Sequence, residues 1–245
     1  MKIALIGFGK MGQTIQRLAE TAGDKIVLTI DLENKADFTK ENLRKADVAI
    51  EFTRPETAFD NIKTCLEAGV PVVSGTTGWL AEMQAARAVC LDNKGAFFYA
   101  SNYSIGVNIF FAVNKYLAKL MASQPQYEVG MEEIQHLQKL DHPSGTAITL
   151  AEGILENSPR KEQWKAYLHP AGEAPDSSGG ILPILSKREE NVPGTHTVTW
   201  KSAVDTLEIS HEAHSREGFA AGALAAARWL VGKEGCFGME DMLGF

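Results

Sequence analysis

The sequence contains few cysteines, and none is placed where a metal site or a redox pair would need it. Its 245 residues include Cys65, Cys90 and Cys236, which form no CxxC pair and no Cys/His cluster with metal-ligand spacing. The sequence therefore predicts reduced thiols and no metal.

Positive charge and long hydrophobic runs are also scarce. Lys and Arg number 24 against 31 Asp and Glu, for a formal net charge of -7, and no basic run could neutralise successive phosphates of a nucleic acid. The apolar start of the chain is far too short for the hydrophobic region of a signal peptide, and no later run reaches the length of a membrane span. We expect a cytoplasmic protein with no nucleic-acid partner and no membrane contact.

Short apolar runs alternate with helical patterns over the first part of the chain. Strands are predicted at Lys2–Ile6, Ile26–Ile30, Val48–Phe52, Val70–Ser74 and Phe97–Ala100, with helices at Thr14–Ala22 and Thr57–Ala68. Apolar strands separated by helices predict an α/β fold, a Rossmann-type doubly wound parallel sheet that is covered on both faces.

The pattern changes after about residue 105. Helices are predicted at Asn108–Ser123, Thr146–Leu155 and Gly218–Val231, strands at Glu128–Glu133, His196–Trp200 and Thr206–Ser210, and a loop at Ala171–Gly180. The alternation of apolar and polar residues in the later strands indicates a mixed or antiparallel sheet. We therefore expect two domains: a dinucleotide-binding domain from residues 1–104 and 215–245, and an α+β substrate domain from residues 105–214.

A glycine-rich turn follows the first predicted strand. Gly7-Phe8-Gly9-Lys10-Met11-Gly12 fits the G-x-G-x-x-G pattern and opens the first helix, which is the context in which that pattern binds dinucleotides. Glycines let the backbone approach a pyrophosphate, and the N–H groups at the helix start face its charge. The alternative is a tight turn without a ligand.

Asp31 ends the second predicted strand, where an acid accepts hydrogen bonds from the hydroxyls of the adenosine ribose. A carboxylate here repels the 2′-phosphate of NADP, and Lys35 offsets only part of that repulsion. The sequence thus indicates NAD or NADP in the reduced form, with NADH favoured. The alternative is that Asp31 only caps a loop.

A second candidate site lies in the middle of the chain. Ser144, Gly145 and Thr146 form a turn into a helix, so their N–H groups and hydroxyls can bind a carboxylate. His136 and Lys139 lie just upstream, in one predicted loop. They supply a cation for a second carboxylate or the proton that must follow hydride transfer. The alternative is an ordinary helix cap beside surface charges.

These residues resemble the dihydrodipicolinate reductase family, and the resemblance extends over nearly the whole chain. The matched signature residues are His136, Lys139, Asp141, Pro143, Ser144, Gly145, Thr146 and Ala147. Supporting matches are Glu51-Phe52-Thr53, Gly75-Thr76-Thr77-Gly78 and the segment Ser101–Asn108. The resemblance implies hydride transfer from a nicotinamide to a cyclic, unsaturated dicarboxylic acid in the diaminopimelate and lysine pathway. It also implies a homotetramer assembled through the substrate domain.

The resemblance assigns roles to individual residues. Cofactor contacts are implied for Phe52, Thr53, Gly75, Thr76, Thr77, Ser101, Asn102 and Tyr103. Lys139 matches the proton donor and His136 a residue that holds the substrate. Gly145 and Thr146 match the turn that binds a substrate carboxylate.

One departure concerns the proton. Gln135 stands where the family has its acid/base histidine, and a carboxamide cannot exchange a proton near neutral pH. The predicted catalytic set is therefore Lys139, Gln135 and His136, with Lys139, His136 or a water as the proton source. For His142 we favour an inert loop residue over a substitute acid.

Other readings stay open. Arg188, His196 and Arg216 resemble parts of the family's substrate domain and its return to the first sheet, where they would contact substrate or organise the domain interface. One rival function is another NAD(P)-dependent dicarboxylate or amino-acid dehydrogenase, against which the Pro-Ser-Gly-Thr turn argues. The other is a non-catalytic dinucleotide sensor that lost its acid at Gln135.

Overall fold

A computed structural model of the chain describes residues 1–170, 180–215 and 217–245. Residues 171–179, most of the predicted loop, and Arg216 lie outside the described residues. The chain forms two compact units, one of Met1–Ile105 with Glu217–Phe245 and the other of Gly106–Arg216. Each unit has its own sheet and its own hydrophobic core.

Strands and helices alternate along much of the chain. The strands are β1 (Lys2–Ile6), β2 (Lys25–Ile30), β3 (Val48–Glu51), β4 (Val72–Ser74), β5 (Ala96–Tyr99), β6 (Glu128–His136), β7 (Gln163–Leu168), β8 (Ile181–Glu189), β9 (Thr195–Lys201), β10 (Thr206–Glu212) and β11 (Gly235–Phe237). The helices are α1 (Lys10–Thr21), α2 (Lys40–Leu43), α3 (Pro55–Glu67), α4 (Met83–Asp92), α5 (Ile105–Met121), α6 (Gly145–Asn157), α7 (Glu217–Leu230) and α8 (Met239–Leu243).

The sheet of the first unit is parallel throughout and has the order β11-β5-β4-β3-β1-β2. From β1 the chain adds β2 on one side and then crosses to add β3 on the other. Ligands of such sheets bind beyond the carboxyl ends of the strands at this reversal. Gly7 and Phe52 directly follow the two strands that flank it, and the predicted Rossmann-type fold is confirmed.

The core of the first unit explains why its strands read as apolar runs. Ile3 and Leu5 of β1 belong to one buried cluster, whereas Ala4 and Ile6 belong to another. Alternate residues of a strand point to opposite faces, so this sheet is buried on both faces. Strands of this kind need apolar residues at every position.

The second unit contains a mixed sheet, as predicted, with the order β10-β9-β6-β8-β7. β6 and β7 run parallel to β8, whereas β9 runs antiparallel to β6 and β10. Burial alternates along β6, and Val129 and Met131 pack in a core that includes residues of α6. Glu133 and Gln135 follow at the same period and are buried too. β6 therefore brings two polar side chains to its inner face.

Some predicted elements need correction. The placement of His136 in a loop is wrong, because His136 is the last residue of β6 and pairs with Glu189 of β8. Pairing with neighbours on both sides extends this strand beyond its clearest apolar pattern. No bounds were predicted for α2, α4, α8, β7, β8 or β11. Within the described residues, no helix combines the length and apolarity needed to cross a membrane.

Candidate active site

Gly7 and Gly12 are required by close packing within the first glycine turn. Gly7 has a φ of 96°, and a Cβ there would lie 2.0 Å from the carbonyl oxygen of Phe52. A Cβ on Gly12 would lie 2.3 Å from the carbonyl oxygen of Gly7. Only glycine therefore lets α1 begin so close to the ends of β1 and β3.

Gly9, in contrast, faces open space. Among the described residues, nothing beyond its chain neighbours lies within 4 Å of the position its Cβ would take. Gly9 is the N-cap of α1, whose first turn has no side-chain cap and no acidic residue. Phe8 and Met11 pack against the core, and Lys10 is exposed. The open N–H groups and the positive end of the helix dipole fit a pyrophosphate.

Asp31 closes the turn after β2. Its Oδ1 accepts hydrogen bonds from the N–H groups of Glu33 (2.8 Å) and Asn34 (3.3 Å), and Asn34 Oδ1 accepts the Asp31 N–H at 2.8 Å. Asp31 thus does cap its loop, as the alternative interpretation had it, but in these contacts it uses only Oδ1. Because the side chain is exposed, Oδ2 can accept a ribose hydroxyl while Oδ1 holds the turn.

Glu51, at the end of β3, is completely buried and joins two strand ends. Its Oε1 accepts the Thr53 N–H at 3.0 Å, the Thr76 hydroxyl at 2.8 Å and the Thr53 hydroxyl, and its Oε2 accepts the Ser74 hydroxyl at 2.5 Å. Burial raises the pKa of Glu51, and these donors offset part of the rise. The carboxyl group fixes the segments that follow β3 and β4.

Those segments carry several of the predicted cofactor residues. A Cβ on Gly75 would lie 2.1 Å from the Phe52 ring, and the Thr76 hydroxyl accepts the Thr53 N–H at 2.8 Å. Tyr103 donates to a carbonyl oxygen of β4 at 2.6 Å, and its ring centroid lies 5.8 Å from that of Phe52. Phe52, Thr53, Gly75, Thr76 and Tyr103 are thus brought together, whereas Thr77 and Ser101 are exposed and Asn102 is half-buried.

Ser144 begins the second site as the N-cap of α6. Its Oγ accepts the N–H of Ala147 at 3.2 Å, and its own N–H donates to both carboxylate oxygens of Glu133 at 3.0 and 3.2 Å. The N–H groups of Gly145 and Thr146 occupy the first two helical positions and have no acceptor within the helix. The approach to Gly145 is open in the same sense as that to Gly9.

Glu133 lies fully buried behind this turn. It accepts the Ser186 hydroxyl at 2.8 Å, and its Oε2 lies 3.7 Å from His196 Nε2, which is longer than a normal hydrogen bond. Burial alone would raise the pKa of Glu133, but its contacts with His196, Ser144 and Ser186 outweigh burial and lower the pKa to about 2. The carboxylate is therefore ionised near neutral pH.

Lys139 lies in a loop that Arg188 anchors. Arg188 donates to the carbonyl oxygens of Lys139 at 3.2 Å and Asp141 at 2.8 Å. Lys139 Nζ donates to Asp141 Oδ1 at 2.9 Å, and this contact lowers the pKa of Asp141. Because Asp141 is exposed, Lys139 can exchange it for a substrate carboxylate or move toward a group that needs a proton.

The remaining predicted residues of this region have different surroundings. Gln135 is buried, with its Nε2 3.3 Å from His196 Nε2. His136 is half-buried and lines a cavity of about 380 Å³ together with residues 190–193. His142 is exposed, and no hydrogen bond or ion pair among the described residues involves its side chain.

The two groups of predicted residues belong to different units, the glycine turn and the cofactor segments to the first and residues 135–146 to the second. Neither Glu51 nor Glu133 was among the site residues predicted from the sequence. The sequence did contain a signal for both residues: each is an acid at an inward-facing position of a strand that is otherwise apolar or alternates apolar and polar residues. His196 and Arg188 contact Glu133 and the Lys139 loop, roles that depend on strand pairing and leave no local pattern.

A glycine turn that fits a pyrophosphate lies at the reversal of a parallel sheet, and an open helix start that fits a carboxylate lies near a lysine; together with the family matches below, this arrangement indicates the class. The protein is a dinucleotide-dependent oxidoreductase. The family model for the N-terminus of dihydrodipicolinate reductase matches residues 1–103, and the model for its C-terminus matches residues 106–243. The chain belongs to the dihydrodipicolinate reductase family, NAD(P)H-dependent enzymes of lysine and diaminopimelate biosynthesis.

Individual relatives agree with this assignment. A 4-hydroxy-tetrahydrodipicolinate reductase of Christiangramia forsetii is 49% identical over 245 residues, covering 99% of this chain and 98% of the relative. One from Methanoregula boonei is 34% identical, with 99% and 98% covered. A solved dipicolinate-bound dihydrodipicolinate reductase from Paenisporosarcina sp. TG-14 has a TM-score of 0.77 at 24% identity, with 98% of each chain covered, and shows the shared fold.

The glycine turn yields a prediction that separates packing from ligand approach. Gly12→Ala should destabilise the protein by about 1–3 kcal/mol, because its Cβ overlaps the Gly7 carbonyl oxygen. Gly9→Ala should leave the melting temperature close to wild type but weaken NADH binding about tenfold or more, because its Cβ enters the pyrophosphate space.

Thermal unfolding without cofactor and fluorescence titration with NADH measure the two effects. Wild-type NADH affinity in Gly9→Ala would contradict a pyrophosphate site at this turn.

Proposed function

We propose that the protein catalyses the NAD(P)H-dependent conversion of 4-hydroxy-tetrahydrodipicolinate to tetrahydrodipicolinate, in which the 4-hydroxyl leaves as water and a hydride and a proton add to the ring. The observation that carries the proposal is the start of α6, where Gly145 and Thr146 present N–H groups that the helix cannot use. Lys139 precedes this turn in an anchored loop. A family member with these features can bind a dicarboxylate and supply the proton that its reduction requires.

On the cofactor side, the bound dinucleotide supplies the hydride, and the chain binds and orients it. The turn from Gly7 to Gly12 holds the pyrophosphate through backbone N–H groups. Asp31 accepts the adenosine ribose hydroxyls. The segments that Glu51 fixes contact the nicotinamide end, through Phe52, Thr53, Gly75, Thr76 and Thr77, joined by Ser101, Asn102 and Tyr103.

On the substrate side, Gly145 and Thr146 donate their N–H groups to one carboxylate. Ser144 completes the turn, but its N–H donates to Glu133 and its Oγ caps the helix by accepting the Ala147 N–H. His136 holds the substrate from the end of β6. Lys139 gives a proton to the reduced substrate, because its Nζ is partly exposed and its partner Asp141 is exchangeable.

Gln135 remains part of the proposed site without transferring a proton. Its buried amide contacts His196, and a carboxamide has no proton to give near neutral pH. Of the sources that remain, Lys139, His136 and a water, we assign proton donation to Lys139, whose Nζ is partly exposed.

Three further properties belong to the proposal. NADH is preferred over NADPH, because the exposed Asp31 carboxylate repels a 2′-phosphate. The protein is cytoplasmic, as its biosynthetic relatives suggest. It assembles as a homotetramer through the substrate unit. Light scattering of the protein as it elutes from a sizing column gives the mass of the assembly and so tests the tetramer.

A coupled assay tests the function directly. The upstream synthase, aspartate semialdehyde and pyruvate generate the substrate, and the absorbance of the reduced nicotinamide reports turnover with NADH or NADPH. We expect oxidation of both cofactors, and faster oxidation of NADH. No oxidation of either would favour a non-catalytic dinucleotide sensor.

Replacing the proton donor should reduce turnover. Lys139→Ala should lower kcat by roughly 10²–10⁴, the usual contribution of a general acid, whereas Gln135→His should match or exceed wild type. The exposed lysine variant Lys119→Ala is the matched control. Full turnover in Lys139→Ala would refute the assigned role.

Removing the charge at the ribose site should relax cofactor choice. Asp31→Ala should shift the ratio of kcat/KM for NADH to that for NADPH about tenfold toward NADPH, because the carboxylate no longer repels the 2′-phosphate. Asp37→Ala, an exposed acid on the same segment, should leave the ratio unchanged. An unchanged ratio in Asp31→Ala would show that Asp31 only caps its loop.

A further inference from the structure

Three side chains form a buried row behind the start of α6. Glu133 of β6 pairs in register with Ser186 of β8 on one side and with His196 of β9 on the other. Glu133 and Ser186 are fully buried, and His196 is 5% exposed. Apolar side chains would fill this space without the cost of burying a carboxylate and an imidazole, so the row calls for another explanation.

The row converges on one residue, Ser144. Glu133 accepts its N–H at 3.0 and 3.2 Å, and His196 Nε2 lies 3.0 Å from its Oγ. Ser144 is thus held at its backbone by one strand and at its side chain by the next. Because Ser144 is held in place, the N–H groups of the next two residues, Gly145 and Thr146, point in a fixed direction.

An arginine beside this row offsets its negative charge. The Glu133 carboxylate would on its own repel an anion bound at the same helix start. Arg188 Nη1 lies 4.0 Å from Glu133 Oε1, and His196 Nε2 lies 3.7 Å from Oε2. An arginine is always charged in proteins, so at least one cation offsets the buried anion while its oxygens hold the turn.

We propose that Glu133 and His196 are positioning residues for the reduction, holding Ser144 so that the N–H groups of Gly145 and Thr146 receive a substrate carboxylate. The inference rests on the proposed substrate site at this turn. It goes beyond that site by assigning its geometry to a carboxylate and an imidazole that do not themselves contact the substrate.

His196 variants test the proposal with dipicolinate as the probe, since it is a planar diacid. His196→Leu removes the contact with Ser144 Oγ and should raise the dissociation constant for dipicolinate, and KM for the substrate, about tenfold or more. The dissociation constant for NADH should stay within about twofold, since the dinucleotide turn lies in the other unit. His196→Gln, whose amide can reach Ser144 again, should restore most of the affinity.

His214→Leu, an exposed histidine of the same unit, is the matched control. If His196→Leu does not fold, Glu133→Gln takes its place, because it keeps the shape but removes the charge; we expect about a tenfold loss of dipicolinate affinity. Wild-type dipicolinate affinity in these folded variants, or equal loss of NADH affinity, overturns the inference. Failure of the wild type to bind dipicolinate or turn over would instead overturn the proposed substrate site.

Discussion

The N–H groups at the start of a helix have no partner within the helix, and this protein depends on two such starts. At α1, no side chain of the described residues caps these groups: the cap is Gly9, and the first turn carries no acid. At α6 two of the groups are satisfied internally, by Glu133 and by the Ser144 hydroxyl. The first start suits a diphosphate that supplies its own charge, whereas the second has a geometry fixed by side chains behind it.

Two fully buried carboxyl groups, Glu51 in the first unit and Glu133 in the second, differ in the direction of their pKa shifts. Glu51 meets hydroxyl and amide donors, and burial raises its pKa. Glu133 has similar donors but also lies near His196 and Arg188, and its pKa falls to about 2. The difference follows from the hydrogen-bond contacts of Glu133 with His196, Ser144 and Ser186, which favour its charged form and outweigh burial. Glu51 joins the segments after two strand ends by accepting their hydrogen bonds, while Glu133 is an internal anion near neutral pH.

Features encoded by a short stretch of sequence could be predicted, whereas features that depend on contacts between distant segments could not. β1 was predicted at its observed bounds, because a strand buried on both faces is apolar at nearly every position. The glycine turn was predicted from its motif, which is required because side chains at Gly7 and Gly12 would clash with the backbone. β8 was missed because it contains a proline and ends in charged residues. His196 was named only through the family resemblance, as a substrate contact or an organiser of the domain interface. Its contact with Ser144 was not predicted, because it depends on the pairing of β9 with β6, far away in sequence.

Gln135 stands where the family resemblance implies an acid/base histidine, so the other parts of the site must account for substrate binding and proton transfer. Gln135 is buried against His196, while the turn at Ser144 and the Lys139 loop keep their supports. The central claim is that backbone N–H groups of this turn receive the diacid. A crystal structure with NADH and dipicolinate tests it most directly. We predict a carboxylate oxygen about 3 Å from the N–H groups of Gly145 and Thr146; a diacid bound away from both would contradict the account.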